Sequence, residues 1–247
     1  MVSLFHDSPS SRHYLSIHNI VRRGACFGIV PGHWVGPYVL SQTFDKIING
    51  NDYSSLALYL VAEAGGIPTL YRSRASAQAQ EGDPKDGPEA LFWKPLLILI
   101  PMTLGITASI NPVYVPQILT MLSMPQTVGV VGGKLGSSVY LIGRQGKQVL
   151  YLDPHSLKPF EEDGKVNADS YFASEIHHMA ASKLDPSLAL GFYCRTRRDF
   201  DALYDQLRAL AERYPTASLL SVAEEPAAPI PLGFAEESRS EDGFEVM

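Results

Sequence analysis

The segment 96–100 (LLILI) is the feature of this sequence that most constrains its fold. Successive side chains of a β-strand point to opposite faces, and this run places apolar side chains on both faces. Because such a strand needs cover on both sides, we predict that it forms the centre of a sheet packed between other layers. With 247 residues, 45% of them hydrophobic, the chain can bury one sizeable core around it.

Helical and strand patterns surround this strand. Amphipathic periodicity and capping residues predict four helices, at residues 17–23, 37–48, 112–122 and 197–213. Apolar runs of strand length predict further strands at residues 56–62, 127–133, 138–144, 148–154 and 188–194. Gly146-Lys147 is a hairpin signal between two of these strands and favours antiparallel pairing. We therefore predict an α+β fold with a mostly antiparallel central sheet flanked by helices.

Two stretches lack the apolar periodicity of a folded element. Residues 72–90 (RSRASAQAQEGDPKDGPEA) are polar, small and punctuated by Pro and Gly, which predicts a disordered insertion within the domain. From residue 215 onward the composition shifts to Ala, Pro, Ser and Glu, and Arg239 is the only base. The sequence thus predicts a folded domain at residues 1–214 and a disordered acidic tail at residues 215–247.

Charge and cysteine content argue against several function classes. The formal net charge is −6, and Lys and Arg are scattered, so no nucleic-acid partner is expected. Cys26 and Cys194 lie far apart and form no C-x-x-C pair, which predicts neither a disulfide nor a metal site, and no cofactor is expected. No apolar run approaches the roughly 20 residues that span a membrane, and the first residues lack a signal-peptide pattern. A reducing, cytoplasmic location is expected.

Asp153 and His155 stand at the end of the predicted strand 148–154. The period of a strand projects both side chains the same way, about 7 Å apart along the strand and within reach of each other. A carboxylate in contact with an imidazole can hold its tautomer and stabilise the imidazolium that forms when the ring takes a proton from a nucleophile. Because Asp-Pro is also an ordinary turn start, the residues alone leave a catalytic pair and a structural turn both open.

Candidate nucleophiles for such a pair have competing structural explanations. Cys194 lies in an apolar strand and is expected to be buried, although arginines and a helix start follow it. Cys26 lies in a glycine-rich loop, without the helix N-terminus that lowers a thiol pKa. The serines of Gly136–Ser138 lack a G-x-S-x-G pattern, and a hairpin turn explains them. The adjacent His177 and His178 point apart, which suits a solvated segment better than a metal site.

Five blocks of sequence, in order along the chain, resemble one known family. They are SIHNIV, GHWVGP, WKPLLILIP, MPQTVGVVGGKLGSSVYLIGRQGKQVLYLDPHSLKP and LDPSLALGFYCRTRRDFD. On these blocks, which lie within about residues 4–210, the chain resembles the autophagins, the autophagy-related cysteine proteases that act on a ubiquitin-like modifier. The resemblance implies a papain-like cysteine protease fold with a small extra subdomain.

The resemblance also implies an activity. Autophagins are thiol proteases that cleave after a glycine near the C-terminus of the modifier precursor and later release the modifier from phosphatidylethanolamine. The Asp-Pro-His of the family falls on residues 153–155, which implies His155 as general base and Asp153 as its orienting partner. The implied partner is the ubiquitin-like modifier in its precursor and lipid-conjugated forms. Membrane contact would then be only indirect, through the lipidated substrate.

Further parts of a substrate site are implied by the same resemblance. Trp34 matches the tryptophan of the family's W-x-G-P block, which lies near the site and covers the substrate's glycine. Lys134, Leu135 and Gly136 fall in the segment where the family has a regulatory loop that lifts to admit the substrate tail. The family commonly has a proline where Leu135 stands.

The cysteine nucleophile of the family lies outside these blocks. It belongs to a G-W-G-C block at a helix N-terminus, upstream of every block quoted above, and neither Cys26 nor Cys194 falls on that position. We expect a papain-like fold truncated at its N-terminus, an apolar groove where the nucleophile helix packs in the family, and no proteolysis by the chain alone. The alternatives are a pseudoprotease or fragment that only binds the modifier, and an unrelated α+β domain.

The last residues contain a candidate partner motif. Phe244 and Met247, preceded by acidic residues, resemble the aromatic-x-x-aliphatic motif that adds a strand to the edge of the modifier's sheet. Methionine stands where the motif usually has Leu, Ile or Val. The tail is therefore expected to contribute to modifier binding.

Overall fold

The computed structural model describes residues 2–51, 54–61, 66–81, 92–134, 136–159 and 168–226. Five α-helices lie in these ranges. They are α1 (Ile17–Gly24), α2 (Pro37–Asn49), α3 (Arg72–Ala79), α4 (Val115–Met121) and α5 (Arg197–Arg213). Four of the five coincide with the helices predicted from amphipathic periodicity, within a residue or two at each end apart from the start of α4. A short 3-10 turn at Pro112–Tyr114 precedes α4 and accounts for that difference.

Eleven strands lie in the same ranges, and seven of them form one mixed sheet. The strands are β1 (Ala57–Leu60), β2 (Thr69–Tyr71), β3 (Gln80–Glu81), β4 (Phe92–Trp93), β5 (Leu96–Thr103), β6 (Thr127–Gly132), β7 (Val139–Gln145), β8 (Gln148–Leu152), β9 (His177–Ala180), β10 (Ser187–Cys194) and β11 (Ser221–Ala223). The order in the main sheet is β1-β5-β10-β6-β7-β8-β9. β1 and β5 are parallel, and the other neighbours are antiparallel.

β5 has both faces covered, as its sequence predicts, but it is not the central strand. It lies second from the edge of the sheet, between β1 and β10. Leu96, Ile98 and Ile100 point into the main core, while Leu97 and Leu99 point to the opposite face, on which α2 packs. The continuous apolar run therefore predicted correctly that both faces of the strand are covered. It does not indicate where in the sheet the strand lies, and the predicted central position was wrong.

α5 covers the core face of β10 and begins as its sequence predicts. The Asp199 backbone N–H donates to the Thr196 hydroxyl at 3.2 Å, and the Thr196 N–H donates to the Asp199 carboxylate at 2.9 Å, which forms a capping box. The apolar stripe of the helix is buried in the core, where Phe200 is one of the largest fully buried side chains. The predicted start and stripe of this helix are thus both confirmed.

The predicted disordered insertion is wrong for its first part. Residues 72–79 form α3, which packs on β1 and buries Ala75 and Ala79 completely. Alanines need little room, so α3 lies against the sheet without the large apolar side chains that mark an amphipathic helix. β3 follows and pairs with β4. The remainder of the predicted insertion, from residue 82, lies outside the described residues.

The predicted tail is also ordered at its beginning. β11 pairs in parallel with β2, and the hydroxyls of Thr69 and Ser221 lie 2.7 Å apart. An ion pair of 2.7 Å joins Arg72 to Asp201 of α5, and a second of 3.3 Å joins it to Glu224 just after β11. The folded region therefore continues beyond the predicted boundary at residue 214. Residues 227–247, with Phe244 and Met247, lie outside the described residues.

Candidate active site

Asp153 and His155 form a close acid–imidazole pair. The His155 Nδ1 atom lies 2.5 Å from Asp153 Oδ1, and the same oxygen accepts the His155 backbone N–H at 3.0 Å. One carboxylate oxygen thus fixes both the main chain and the ring of the histidine. With Nδ1 bound to the acid, Nε2 is the nitrogen that remains to exchange a proton.

The pair projects from a turn and not from a strand, which corrects the geometry expected from the sequence. β8 ends at Leu152, and residues 153–159 are neither helix nor strand. Pro154 has no N–H to continue the ladder, so the chain leaves the sheet there. The contact follows from a carboxylate bonding the backbone two residues on, a geometry that Asp favours at turns. A turn therefore brings the two side chains together. A structural turn and a catalytic pair, the two interpretations that the sequence left open, are not mutually exclusive.

The surroundings of the Asp153 carboxyl favour its ionised form. The pKa of Asp153 is lowered from its ordinary value, first by the His155 backbone N–H, then by the His155 side chain, and least by the charge of Lys134. Asp153 is thus an anion at neutral pH. An anion beside Nδ1 favours the tautomer with a proton on Nδ1 and stabilises the imidazolium.

A cleft of about 820 Å³ opens beside the pair. Asp153, Pro154 and His155 line it together with the exposed aromatic residue Phe172 and the acidic Glu175. His177 also lines this cleft and stacks on Tyr151, with ring centroids 5.4 Å apart. A substrate could therefore reach the imidazole through an open cleft with aromatic and acidic walls.

The segment before β7 also contacts the pair. Gly136 is exposed and has a φ of 71°, in the left-handed region that favours glycine. The Ser137 hydroxyl oxygen lies 3.3 Å from Nδ1 and 3.4 Å from Nε2 of His155. Lys134 stands over the Tyr151 ring, with Nζ 5.8 Å from its centroid. Lys134 and Gly136 thus belong to a segment beside the imidazole, while Leu135 lies outside the described residues.

Trp34 lies in the loop before α2 and is 69% exposed. It is not among the described residues that line the cleft beside His155. An indole exposed to this degree is available to a partner, since buried indoles normally pack and bond their N–H. The structure thus gives Trp34 an accessible position without bringing it to the acid–imidazole pair.

Both cysteines lie away from the cleft. Cys194 is fully buried in β10, and burial raises the pKa of its thiol to about 12, with a smaller contribution from Asp199. A thiol in this state is not a nucleophile at neutral pH. Cys26 is exposed, and its Sγ lies 3.0 Å from the Lys46 Nζ and donates to the Arg23 carbonyl at 3.3 Å. Neither cysteine is among the residues that line the cleft of His155.

Comparison with known proteins gives the family. The profile described as the Peptidase C54 catalytic domain matches residues 1–206. This chain belongs to the Peptidase C54 family. The Peptidase C54 fold is papain-like, so the predicted fold class is confirmed, with a mixed and mostly antiparallel seven-stranded sheet flanked by helices.

Curated relatives of this Peptidase C54 chain are cysteine proteases by name. "Cysteine protease ATG4" of Medicago truncatula is 34% identical over 247 residues, which are 93% of this chain and 49% of the relative. "Cysteine protease ATG4a" of Arabidopsis thaliana is 35% identical over 89% of this chain and 49% of its own length. "Cysteine protease ATG4B" of Gallus gallus is 32% identical over 85% of this chain and 59% of its own length. The chain therefore spans about half the length of the curated relatives it matches.

An apolar groove of about 320 Å³ lies on the sheet face that α2 only partly covers. Leu40 and Phe44 of α2 form one wall, and Val128, Val131 and Tyr140 of β6 and β7 form the other. All three of these sheet residues are exposed, although large apolar side chains of interior strands are normally covered. The expectation of an apolar groove, made from the family resemblance, thus has a structural counterpart.

Tyr140 lines both the groove and the cleft of His155. Its hydroxyl donates to the Val128 carbonyl, and partial burial of that hydroxyl raises the pKa of Tyr140 above the ordinary value. Gly129 and Gly191 face each other beneath the groove, and a Cβ at Gly191 would stand 2.8 Å from a Val128 methyl group. The floor of the groove is therefore flat next to Tyr140, the residue that also borders the cleft of His155.

His177 is one of the site residues that the sequence did not predict, together with Ser137 and Tyr140. His177 and His178 point apart, as the sequence predicted, and both keep solvent exposure. The prediction did not include that His177–Ala180 pairs with β8 as an edge strand, which places His177 beside the Asp153 turn. No helical or strand pattern in the sequence marks this four-residue strand.

Within the described ranges there is no group of three or more His, Cys, Asp or Glu side chains that could hold a metal ion. None of the helices in those ranges has the length and apolar character that a bilayer crossing requires.

Proposed function

We propose that this chain supplies the acid–base half of a cysteine endopeptidase site, with His155 as general base and Asp153 as its orienting anion. The observation that carries the proposal is the 2.5 Å contact between Asp153 Oδ1 and His155 Nδ1 at the mouth of an open cleft. Membership of the Peptidase C54 family and relatives named as cysteine proteases support the same chemistry.

In the proposed mechanism, His155 Nε2 takes the proton of a thiol and thereby forms a thiolate–imidazolium pair. Asp153 remains ionised and stabilises the imidazolium through Nδ1. The thiolate attacks the scissile carbonyl, and the imidazolium then gives its proton to the leaving amine. The thiol is not that of Cys194, whose pKa burial raises to about 12, nor that of Cys26, which lies away from the cleft.

We infer that the thiol belongs to a segment seated in the apolar groove. Tyr140 lines both the groove and the cleft, so the end of a helix lying against α2 and β6 would lie next to the cleft of His155. The curated relatives are about twice as long as the matched part of this chain, so their remaining half is long enough to contain such a helix. That segment could act within one polypeptide or as a second chain.

The proposed substrate is the ubiquitin-like modifier of autophagy, cleaved after a glycine near its C-terminus and released from its phosphatidylethanolamine conjugate. The names of the relatives support a cysteine protease of the ATG4 type. The exposed Trp34 does not line the cleft in this structure, so it would have to close over the substrate's glycine when the modifier binds. Lys134, Gly136 and Ser137 would border the substrate tail. Phe244 and Met247 would add contacts to the modifier from the tail. The proposed location is the cytoplasm.

A second candidate function is binding of the modifier without catalysis. The observation that favours it is the position of the two cysteines of this chain, one buried in β10 and one remote from the cleft. In this case the cleft and Trp34 would dock the modifier, and no covalent intermediate would form.

Cleavage by separately purified chains tests the proposal. We would incubate a C-terminally extended modifier with this chain, with the unmatched half of the Medicago truncatula relative, or with both. Cleavage only in the mixture is expected, and its loss on mutating a cysteine of the added half would locate the nucleophile there. Cleavage by this chain alone, abolished by Cys26→Ser or Cys194→Ser, would overturn the assignment. Modifier binding without cleavage in any mixture would support the second function.

A further inference from the structure

The cleft of about 820 Å³ beside His155 is lined by residues to which the proposed mechanism gives no role. Phe172 and Tyr171 are both exposed there, although aromatic rings are more often covered in a folded protein. Glu175 lines the same cleft and is exposed as well. The cleft thus offers apolar rings and a carboxylate to a bound molecule, next to the histidine that acts as general base.

Contacts connect the segment that contains these residues to its surroundings. Lys158, three residues after His155, also lines the cleft, and its Nζ donates to the Phe172 carbonyl at 3.4 Å. Farther along, the Glu175 Oε2 atom lies 4.0 Å from the Nε2 atom of His177, the first residue of β9. Phe172 and Glu175 are therefore held at the cleft from two directions along the chain.

The order of proton transfers relates this cleft to one part of the substrate. In the proposed mechanism the imidazolium of His155 gives its proton to the nitrogen of the scissile bond as that C–N bond breaks. The nitrogen must therefore lie within hydrogen-bonding distance of the ring, at about 2.6–3.2 Å. Because His155 lines the cleft, the leaving segment that begins at this nitrogen begins at the wall of the cleft.

The part of the substrate that ends at the glycine has other proposed contacts. Trp34, Lys134 and Gly136 would contact that part, and none of the three is among the described residues that line the cleft. The cleft is thus left for the residues that follow the scissile bond.

The charge of the cleft also suits the leaving segment. Cleavage of a peptide bond frees a primary amine, and an amine of this kind is largely protonated at neutral pH. Asp153 is an anion there, because its pKa is lowered, and Glu175 adds a second carboxylate to the lining. Two carboxylates attract an ammonium ion and disfavour an acidic side chain.

We propose that this cleft binds the leaving segment of the substrate, with Phe172 packing against an apolar side chain after the scissile bond and Glu175 attracting the freed amine. The proposal rests on the proposed role of His155 as general base and names the part of the substrate that the cleft accepts. A leaving segment that begins with an apolar residue fits this site better than one that begins with an acidic residue.

Binding of a small leaving product to the 247-residue chain tests the proposal without any cleavage. The probe is the dipeptide Phe-Gly-amide, titrated at neutral pH into ¹⁵N-labelled chain while the backbone amide resonances are followed by NMR. The resonances of His155 and Phe172 should shift as the probe binds. Phe172→Ala should weaken the affinity about two- to tenfold, since a contact between two aromatic rings is lost. Phe92→Ala is the matched control, because it removes a similarly exposed ring outside the cleft and should bind like the wild type.

A second probe isolates the contribution of the amine. Acetyl-Phe-Gly-amide has the same ring but no ammonium ion, so it should bind more weakly than the free amine. Glu175→Gln should weaken binding of the free amine about two- to fivefold, as expected for an exposed ion pair, and leave binding of the acetylated probe unchanged. An equal effect of Glu175→Gln on both probes, or no effect on either, would overturn the role of Glu175.

Three results would overturn the binding site itself. They are the absence of shifts at His155 and Phe172, equal affinities of the wild type and Phe172→Ala, and an equal loss of affinity in Phe92→Ala. The proposed function fails by a different measurement, since it requires that His155→Ala abolish cleavage in the mixed halves. Binding that depends on Phe172 together with an active His155→Ala would retain the cleft as a binding site and remove the role of His155 as base.

Discussion

The Oδ1 atom of Asp153 accepts two hydrogen bonds from His155, one from the backbone N–H at 3.0 Å and one from Nδ1 at 2.5 Å. The backbone bond sets the turn, and the side-chain bond sets the ring. Because Pro154 ends the β8 ladder, the same residues that terminate the strand orient the imidazole toward the cleft. Local turn chemistry is thus sufficient to build this acid–imidazole pair.

Replacing Asp153 should change how stability depends on pH. The folded-state pKa of Asp153 is lowered, so its contribution is present above the unfolded value of about 3.9 and is lost as pH falls through the folded value. Asp153→Asn removes that contribution at every pH. Urea midpoints of wild type and Asp153→Asn should therefore differ near neutral pH and converge as the solution is acidified. A difference that grows in acid would contradict the lowered pKa.

The two thiols should differ sharply in reactivity. Cys26 is exposed, whereas Cys194 is buried with a pKa raised to about 12, so only Cys26 should react with Ellman's reagent in the native chain. Both should react in denaturant. Cys26→Ser is the control, since it should leave no rapidly reacting thiol. Rapid native labelling of Cys26→Ser would mean that Cys194 is accessible and would reopen its candidacy as nucleophile.

The contact between α5 and the sheet should dominate stability. Phe200 is fully buried against the core, and Phe200→Ala should cost about 3–5 kcal/mol of unfolding free energy. Phe172, 67% exposed at the cleft, is the matched control, and Phe172→Ala should change stability by no more than about 0.5 kcal/mol. Chemical denaturation of the two variants gives both values. Equal losses would show that Phe200 does not anchor the core.

The apolar groove should bind a hydrophobic dye. Val131 is exposed on its wall, so Val131→Asp should reduce the fluorescence of bound anilinonaphthalene sulfonate, because a charge there disfavours the apolar ligand. Ile106 is exposed but does not line the groove, and Ile106→Asp should leave the signal unchanged. Equal losses in both variants would mean that the dye binds elsewhere.

Much of the fold could be predicted because it follows from local patterns. The α5 stripe and its Thr196 cap, the β7–β8 hairpin and the apolar β5 strand each combine periodicity with a recognisable end signal. α3 and β11 escaped prediction because their burial comes from partners far along the chain. Arg72 bonds Asp201 and Glu224 across more than a hundred residues, and no window of sequence displays such a contact.

The candidate site could be predicted only where it is local. Asp153 and His155 are two residues apart, so their contact is accessible to sequence reasoning, even though the predicted strand geometry was wrong. His177 and Ser137 join the site through strand pairing and a turn, and Tyr140 connects two cavities that only the tertiary structure defines. The roles of Trp34 and of the tail motif stay predictions.

The central claim is tested most directly by measuring kcat/KM for cleavage of an extended modifier by this chain mixed with the unmatched half of a relative. The variant His155→Ala is compared with its matched control, His178→Ala. His178 is exposed on β9 and does not line the cleft, so its replacement should leave the rate unchanged. Loss of the general base in His155→Ala should lower kcat/KM by about 10²–10⁴-fold. Turnover of His155→Ala at the rate of the control would contradict the claim that this chain contributes the acid–base half of the site.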